Sequence, residues 1–277
     1  MKHPALFLGH GSPMNAVEDN PFTRRLRRLG QALAEAGAAP SAVLAVSAHW
    51  ETRSRVAGDS AEAISASSDA AGTLVLAAER PRTIHDFGGF PQELFDVRYP
   101  APGSPALARR VRELAGGDAV GETLEWGFDH GVWSTLRHLF PEADVPVVPL
   151  SLDRGKTPRQ HLELARSLAP LREEGVLLVA SGNVVHNLSR IDWRQDAPSQ
   201  PWAESFDGYV KQALLARDAE ALVSYPAAAG AALAVPTPEH YVPLLYAFGV
   251  SDDSDPVTFL YEGLEMGTLS MRSVRFG

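Results

Sequence analysis

The 277-residue chain contains no cysteine. A disulfide framework, a thiolate nucleophile and a sulfur-ligated metal are therefore excluded, and any bound metal must be held by nitrogen and oxygen. Positive charge is also scarce: 25 Lys and Arg stand against 34 Asp and Glu, for a formal net charge of −9. Without a net positive field to displace counterions, neither nucleic acid nor an anionic membrane surface is expected as the main partner. The one basic run, Arg24-Arg25-Leu26-Arg27-Arg28, reads as the solvated face of a helix. Long apolar runs are missing as well. No segment reaches the length of a membrane span, and Pro4 with the break at His10 leaves too short an apolar stretch after Lys2 for a signal peptide. A cytoplasmic protein is expected. With 45% hydrophobic and 21% charged residues the composition is that of a globular chain able to bury a sizeable core.

What is present is a set of short apolar runs that end abruptly in polar breaks. Leu6-Phe7-Leu8 runs into Gly9-His10-Gly11-Ser12-Pro13, and Ala42 through Ala48 stops at His49-Trp50. Each run is the length of one buried strand, and each is followed by a residue type that turns a strand into a loop. Between them Asn20-Pro21 opens a helix with Phe22, Leu26, Leu29, Leu33 and Ala36 at helical spacing. Two successive strand-helix units with a histidine at each strand end predict an α/β fold: a single domain over 1–277 with a mostly parallel central sheet and helices on both faces. Further strands are expected at Val145–Leu152, whose two prolines suggest a place near a sheet edge, at Gly175–Asn183, and as two short strands in the tail from Val257 to Phe276. Ala57 to Arg80, rich in Ala, Ser, Asp and Gly, reads as a surface excursion with Thr73–Leu76 as its strand-like part, in a possible hairpin. The Val242–Phe248 segment predicts a helix whose first turn holds Glu239 and His240.

In open parallel sheets ligands sit in the crevice beyond the carboxyl ends of the strands, so residues at those ends are the candidate site. His10, His49, His130, His186 and His240 all fall at a strand end or a helix start. His130 follows Asp129, which can cap the helix it opens. His138 and His161 lie inside predicted helices and read as ordinary structural residues. Taken singly, a histidine at a strand end can be no more than a helix cap. Taken together, several neutral imidazoles with an open position define a catalytic metal site, although neither zinc-finger spacing nor H-E-x-x-H is present. In Thr83–Pro91, His85 and Phe87 precede a Gly88-Gly89 hinge, so the loop can close over a flat ligand or form a packed turn. His85, Phe87 and Asn183 are the candidate substrate contacts.

Six of these motifs, taken in order, carry a family likeness: Gly9-His10-Gly11-Ser12-Pro13-Met14, Ser47-Ala48-His49-Trp50, His85-Asp86-Phe87-Gly88-Gly89-Phe90-Pro91, Gly127-Phe128-Asp129-His130-Gly131, Ser181 through Leu188, and Pro236-Thr237-Pro238-Glu239-His240-Tyr241. Together they resemble the DODA-type extradiol aromatic ring-opening dioxygenases of the class III, LigB-like group, in particular its bacterial 4,5-DOPA dioxygenase extradiol-like members. The resemblance spans essentially the whole chain. It implies one divalent metal, Zn2+ or Fe2+, with Fe2+ expected for dioxygenase turnover because zinc has no redox step. It carries ligand roles to His10, His49 and His240, with His186 as a fourth ligand or as acid/base, and it makes His130 the second catalytic histidine. The implied partners are a small aromatic diol and O2. Where some of the wider group place a carboxylate ligand, this chain has Glu239 next to His240, read as a supporting residue. The alternatives on the same fold are a zinc-dependent hydrolase and a non-catalytic metal-binding module.

Overall fold

Residues Leu6 and Leu8 point to one side of the first strand and Ala5 and Phe7 to the other, and all four are fully buried. A strand covered on both faces has no polar side to offer solvent, which is why its sequence reads as an unbroken apolar run rather than an alternating one. The computed structural model describes residues 2–53, 72–194 and 197–277. Within them, β1 (Ala5–Gly9), β2 (Ala42–Thr52), β3 (Thr73–Leu76), β5 (Val120–Thr123), β7 (Val147–Asp153), β8 (Val176–Gly182), β9 (Val257–Tyr261) and β12 (Ser273–Phe276) form one sheet in the order β5-β3-β7-β2-β8-β1-β12-β9. The central run β7-β2-β8-β1 is parallel throughout. Two small pairings, β4 (Arg82–Thr83) with β6 (Gly127–Phe128) and β10 (Leu264–Glu265) with β11 (Leu269–Ser270), lie outside it.

Two apolar layers cover the sheet. On one face, α1 (Pro21–Glu35) and α4 (His130–Leu139) pack Phe22, Leu26, Leu29, Trp133 and Leu136 against Leu6, Leu8, Val43 and Val179. On the other, α3 (Pro105–Leu114), α5 (Pro158–Ser167), α6 (Pro201–Leu215) and α9 (Val242–Gly249) close over Phe7, Leu44, Val46 and Leu178. The shorter helices α2 (Gln92–Asp96), α7 (Ala219–Val223) and α8 (Ala231–Ala234) complete the set among the described residues. Fully burying one such Leu or Phe side chain is worth about 1.5–3 kcal/mol, so the two layers are the main source of stability. The helix starts follow from the sequence: Asn20 and Thr23 form a reciprocal capping box at α1, and Thr157 and Gln160 form one at α5. This is the α/β single-domain architecture expected from the strand-helix alternation.

Five expectations need correction. β2 does not stop before His49 but continues to Thr52, resuming its pairing with β7 after a register shift between Val46 and Glu51. That irregularity re-aims the side chains in between, as bulged strands do. β7 is not near an edge: it lies between β3 and β2. The prolines are tolerated because its β3 side is joined by one bridge alone, Val75 to Leu150, and Leu74 N–H donates to the Ser151 hydroxyl there. Thr73–Leu76 is likewise no surface hairpin, since it pairs in parallel with β5 inside the main sheet, while the earlier part of the Ala57 to Arg80 stretch lies outside the described residues up to Ala71. Finally, Glu239 and His240 stand in a separate 3-10 turn, Pro238–His240, ahead of α9, and the tail contributes four short strands in place of two.

Candidate metal centre

The carboxyl ends of β1, β2 and β8 stand side by side, with Gly9 opposite Gly182 and Ser47 opposite Ser181. His10 leaves β1 there, and its backbone N–H donates to Gly182 O at 3.1 Å. His240 comes to the same edge because its turn rests on the end of β8: a Cβ at Gly182 would stand 2.2 Å from the His240 carbonyl, so glycine is required at that position. His130, first residue of α4, is placed by Asp129, which caps the helix through Val132 N–H. A side chain on the next residue, Gly131, would collide with Ser47 Oγ at 2.5 Å and close on the His49 ring. Small residues thus let three strand ends, a helix start and a 3-10 turn meet at one point.

The five histidines predicted from the sequence do converge. Ring centroids are 5.0 Å apart for His10 and His49, 5.4 Å for His10 and His240, and 5.1 Å for His49 and His240. His130 lies 3.8 Å from His49 and 5.6 Å from His10, and His186 stacks on His240 at 3.5 Å with planes 6° apart. Two groups have ligand atoms all within 4.8 Å of one another: His10, His49 and His130, and His186, Glu239 and His240.

Hydrogen bonding sorts the ring nitrogens. Nδ1 of His10 is 2.9 Å from Ser181 Oγ, Nδ1 of His240 is 3.0 Å from Glu239 Oε1, and Nδ1 of His49 is 3.3 Å from Asp86 Oδ2. A carboxylate only accepts, so Nδ1 of His49 and of His240 carries the proton and Nε2 keeps its lone pair. His240 Nε2 is buried with no hydrogen-bond partner, and the Nε2 atoms of His10 and His49 face each other at 3.2 Å. A bond from metal to imidazole nitrogen is about 2.0–2.1 Å, which puts two tetrahedral ligand nitrogens about 3.4 Å apart and their ring centroids about 5 Å apart. The donor set fits a cation on both measures, and the orphaned Nε2 of His240 is the buried acceptor that such an ion would satisfy.

Electrostatics point the same way. Burial, followed by the neighbouring His240, His130 and His186, holds His10 well below the ordinary histidine range. Burial and the surrounding rings do the same to His49, and His186 is pushed down to about 3 by burial and His240. These imidazoles are neutral at physiological pH and free to ligate. Two carboxylates stand behind them. Burial works against ionisation of Glu239, but its bond to His240 outweighs this and brings the carboxyl down to about 2. Burial likewise opposes ionisation of Asp86, and the bonds from His130 prevail. The result is buried imidazoles backed by the carboxylates of Asp86 and Glu239, the usual outer support of a metal-binding histidine.

The proposed substrate contacts are placed less uniformly. Phe87 sits edge-to-face with His130 at 5.5 Å and joins His85, Phe90, Phe95 and Trp133 in an aromatic cluster beside the histidines. His85 turns Nε2 to the Val97 carbonyl at 3.1 Å. Asn183 is fully buried; its amide donates to Ser270 O and its backbone N–H to His240 O, so it ties the end of β8 to the His240 turn.

Asp86 carries a role not assigned from the sequence, and Asp129 one beyond the helix cap read there. Asp86 Oδ1 accepts His130 N–H at 2.9 Å, Oδ2 accepts His130 Nδ1 at 2.9 Å, and the same Oδ2 faces His49. Its signal was a carboxylate inside the His85 loop motif, overshadowed by the histidine beside it. Asp129, pushed up to about 6 by burial and by Asp86, accepts from Ser47 Oγ at 2.6 Å. His138 and His161 are structural as expected, bonded to Asn15 O and Tyr246 Oη.

A buried group of imidazoles at the carboxyl edge of a parallel sheet, with oxygens behind the ring nitrogens, defines a metal-dependent enzyme. Residues 2–277 match the family described as the catalytic LigB subunit of aromatic ring-opening dioxygenase. The chain is 50% identical over 278 residues to 4,5-DOPA dioxygenase extradiol of Escherichia coli (strain K12), covering 99% of this chain and 94% of that one. It is 36% identical to the protein of the same name from Portulaca grandiflora, over 98% of this chain and 95% of the relative. A crystal structure of an uncharacterized protein from Escherichia coli K12 superposes with a TM-score of 0.81 at 45% identity over 100% of both chains. The chain belongs to the LigB family of aromatic ring-opening dioxygenases, and its activity is extradiol ring opening. It acts on an aromatic substrate with O2 and depends on a metal. Among the described residues, no helix is long and apolar enough to cross a membrane.

Proposed function

We propose that the substrate is a catechol of the DOPA type, that the metal in turnover is Fe2+, and that Nε2 of His10, His49 and His240 hold it. The observation that carries the ligand assignment is the trio of Nε2 atoms whose Nδ1 partners face Ser181, Asp86 and Glu239. The substrate class rests on the named activity of the E. coli and Portulaca relatives. When bound, such a cation supplies Lewis acidity to the diol oxygens and the redox step that zinc lacks.

His186 is assigned to acid/base work and not to ligation. Its ring is parallel to His240, and parallel stacked imidazoles carry in-plane lone pairs that run side by side without converging on one ion. Neutral at pH 7, it is free to take a proton from the diol. His130 presents its ring to the same space from the start of α4, with Nδ1 held by Asp86, so its other nitrogen is the one that faces substrate oxygen. Phe87 and its aromatic neighbours give the substrate ring an apolar edge and help exclude water.

The test is anaerobic reconstitution with Fe2+, addition of L-DOPA, and admission of air, following oxygen uptake and visible absorbance together. Rapid uptake with a new yellow chromophore is expected from the iron form and not from the zinc form. Absence of both signals across a panel of catechols, alongside zinc-dependent ester hydrolysis, would replace this reading with the hydrolase one.

A further inference from the structure

α1 and α4 touch at Gly30, where a Cβ would stand 2.1 Å from the Leu139 carbonyl. A cavity of about 420 Å³ lies at this contact, between the outer part of α1, the last turn of α4 and the loop that follows. That volume is within the range of small-molecule sites, about 300–1,000 Å³. Its walls are mainly apolar, from Ala34, Leu139, Phe140, Pro141 and Val145. Two guanidinium groups, Arg27 and Arg137, line it as well. Arg27 is half-buried and bonded to Asp19 at 2.5 Å. Arg137 is half-buried too, and differs in that its Nη1 is fully buried with no hydrogen-bond partner. Burial and the neighbouring Arg27 charge both weigh against the Arg137 cation, and Glu93 attracts it from a distance without forming a hydrogen bond. A half-buried guanidinium beside a like charge is unfavourable unless an anion neutralises it, and an anion in the cavity would meet the part of the Arg137 guanidinium that lines it rather than the fully buried Nη1.

We infer that this cavity is a second ligand site, separate from the histidine centre, for a small carboxylic acid with an apolar body, its carboxylate on Arg137 and Arg27 and its body against Ala34, Phe140 and Val145. The arginines match a planar carboxylate in their paired donors. Glu142 and Asp144 at the rim repel higher charge, so the site favours a monoanion over a phosphate dianion. No residue of this wall belongs to the proposed catalytic machinery, and the inference stands whichever metal or diol the enzyme uses.

The probe is 4-bromobenzoate, with 4-bromobenzamide as its uncharged counterpart. In crystals of the metal-loaded enzyme grown with the acid, the bromine anomalous signal is expected in the α1/α4 cavity. In calorimetry on the same protein, the amide and the Arg137→Gln variant should each bind about 10-fold or more weakly than the acid and the wild type, the usual loss for one charge-assisted hydrogen bond. Oxygen uptake by the variant is expected to be unchanged, which separates lost binding from lost folding. Ala34→Trp, which fills the cavity from an exposed helix position, should abolish the same binding if the arginine variant proves unstable. Bromine found at the histidine centre alone, or acid binding unaltered in both variants, would overturn the assignment.

Discussion

Replacing Asp86 by Ala tests the support of the centre more sharply than replacing any histidine, because the carboxylate touches two of them at once. Its Oδ1 accepts the His130 backbone N–H and its Oδ2 accepts His130 Nδ1, both at 2.9 Å, while His49 Nδ1 stands 3.3 Å from the same oxygen. Two consequences follow from losing it. His130 becomes free to rotate and to change tautomer, so the nitrogen facing substrate oxygen is no longer fixed. His49 loses the anion that makes Nε2 a better donor. Removing an outer partner of a metal-binding histidine costs 10- to 100-fold in metal affinity or activity, and a hydrogen bond to a charged group is worth about 1.5–3 kcal/mol, which is a similar factor. The variant should therefore bind Fe2+ about 10-fold more weakly, measured by competition with a chromophoric chelator, and turn over about 100-fold more slowly at saturating metal, measured by oxygen uptake. Asp86→Asn keeps one acceptor and two donors, so it should recover part of the metal affinity and less of the rate. Wild-type values for both quantities in Asp86→Ala would show that neither histidine depends on the carboxylate.

The other predictions concern the catalytic ring, the far edge of the sheet and the response to acid. His130→Ala should keep its metal yet turn over about 100-fold more slowly, the usual scale of acid/base assistance; metal loss on dialysis would make His130 a ligand instead. At the opposite edge from the histidines, buried Arg172 donates to His3 O at 2.6 Å, Val250 O at 3.0 Å and Phe276 O at 3.2 Å, and it pairs with Asp255. Arg172→Met removes this donor from three carbonyls and leaves the Asp255 carboxylate with Lys2 and the Asp252 N–H as its remaining partners, and it should lower unfolding free energy by about 3 kcal/mol in urea titration, with turnover per folded molecule preserved. His161, buried against Tyr246, is held down to about 4 by burial and by Lys156. The unfolded chain takes up its proton near pH 6.5 and the folded one does not until about pH 4, so stability from this group is complete above 6.5 and is lost as pH falls to 4. The loss amounts to about 3 kcal/mol at most. His161→Gln should flatten the slope of unfolding free energy against pH in that window, and an unchanged slope would remove His161 from the account.

The frame and the convergence of the five histidines were legible in the sequence because both depend on local chemistry. Apolar runs such as Ala5–Gly9 and Val176–Gly182 are each one strand long, and Asn20 and Thr157 announce the helices they cap. Once the strands are parallel, their carboxyl ends must share an edge, and histidines 230 residues apart become neighbours without any spacing motif. What stayed hidden is pairwise. That His49 lies inside β2 depends on a register shift opposite Leu152, and that Pro149 lies inside the sheet depends on how little β3 asks of β7 on that side. No single stretch of sequence contains those facts.

The backing of the five imidazoles is the clearest case of information that arises only on folding. In sequence each is a histidine at a break, equal to the others. In the fold each ring is backed by a neighbouring group: Ser181 for His10, Asp86 shared by His49 and His130, Glu239 for His240, and the flat face of His240 for His186. Three of these backing groups come from segments remote in sequence from the histidine they support, and only Glu239 is adjacent to its partner. An imidazole by itself is donor, acceptor, ligand, acid and base; the oxygen at its second nitrogen fixes its tautomer and orientation, and its place in the centre does the rest. The chemistry of this centre is therefore written as much in Asp86, Ser181 and Glu239 as in the rings they hold, and exchanging those oxygens should change the reaction while every histidine remains in place.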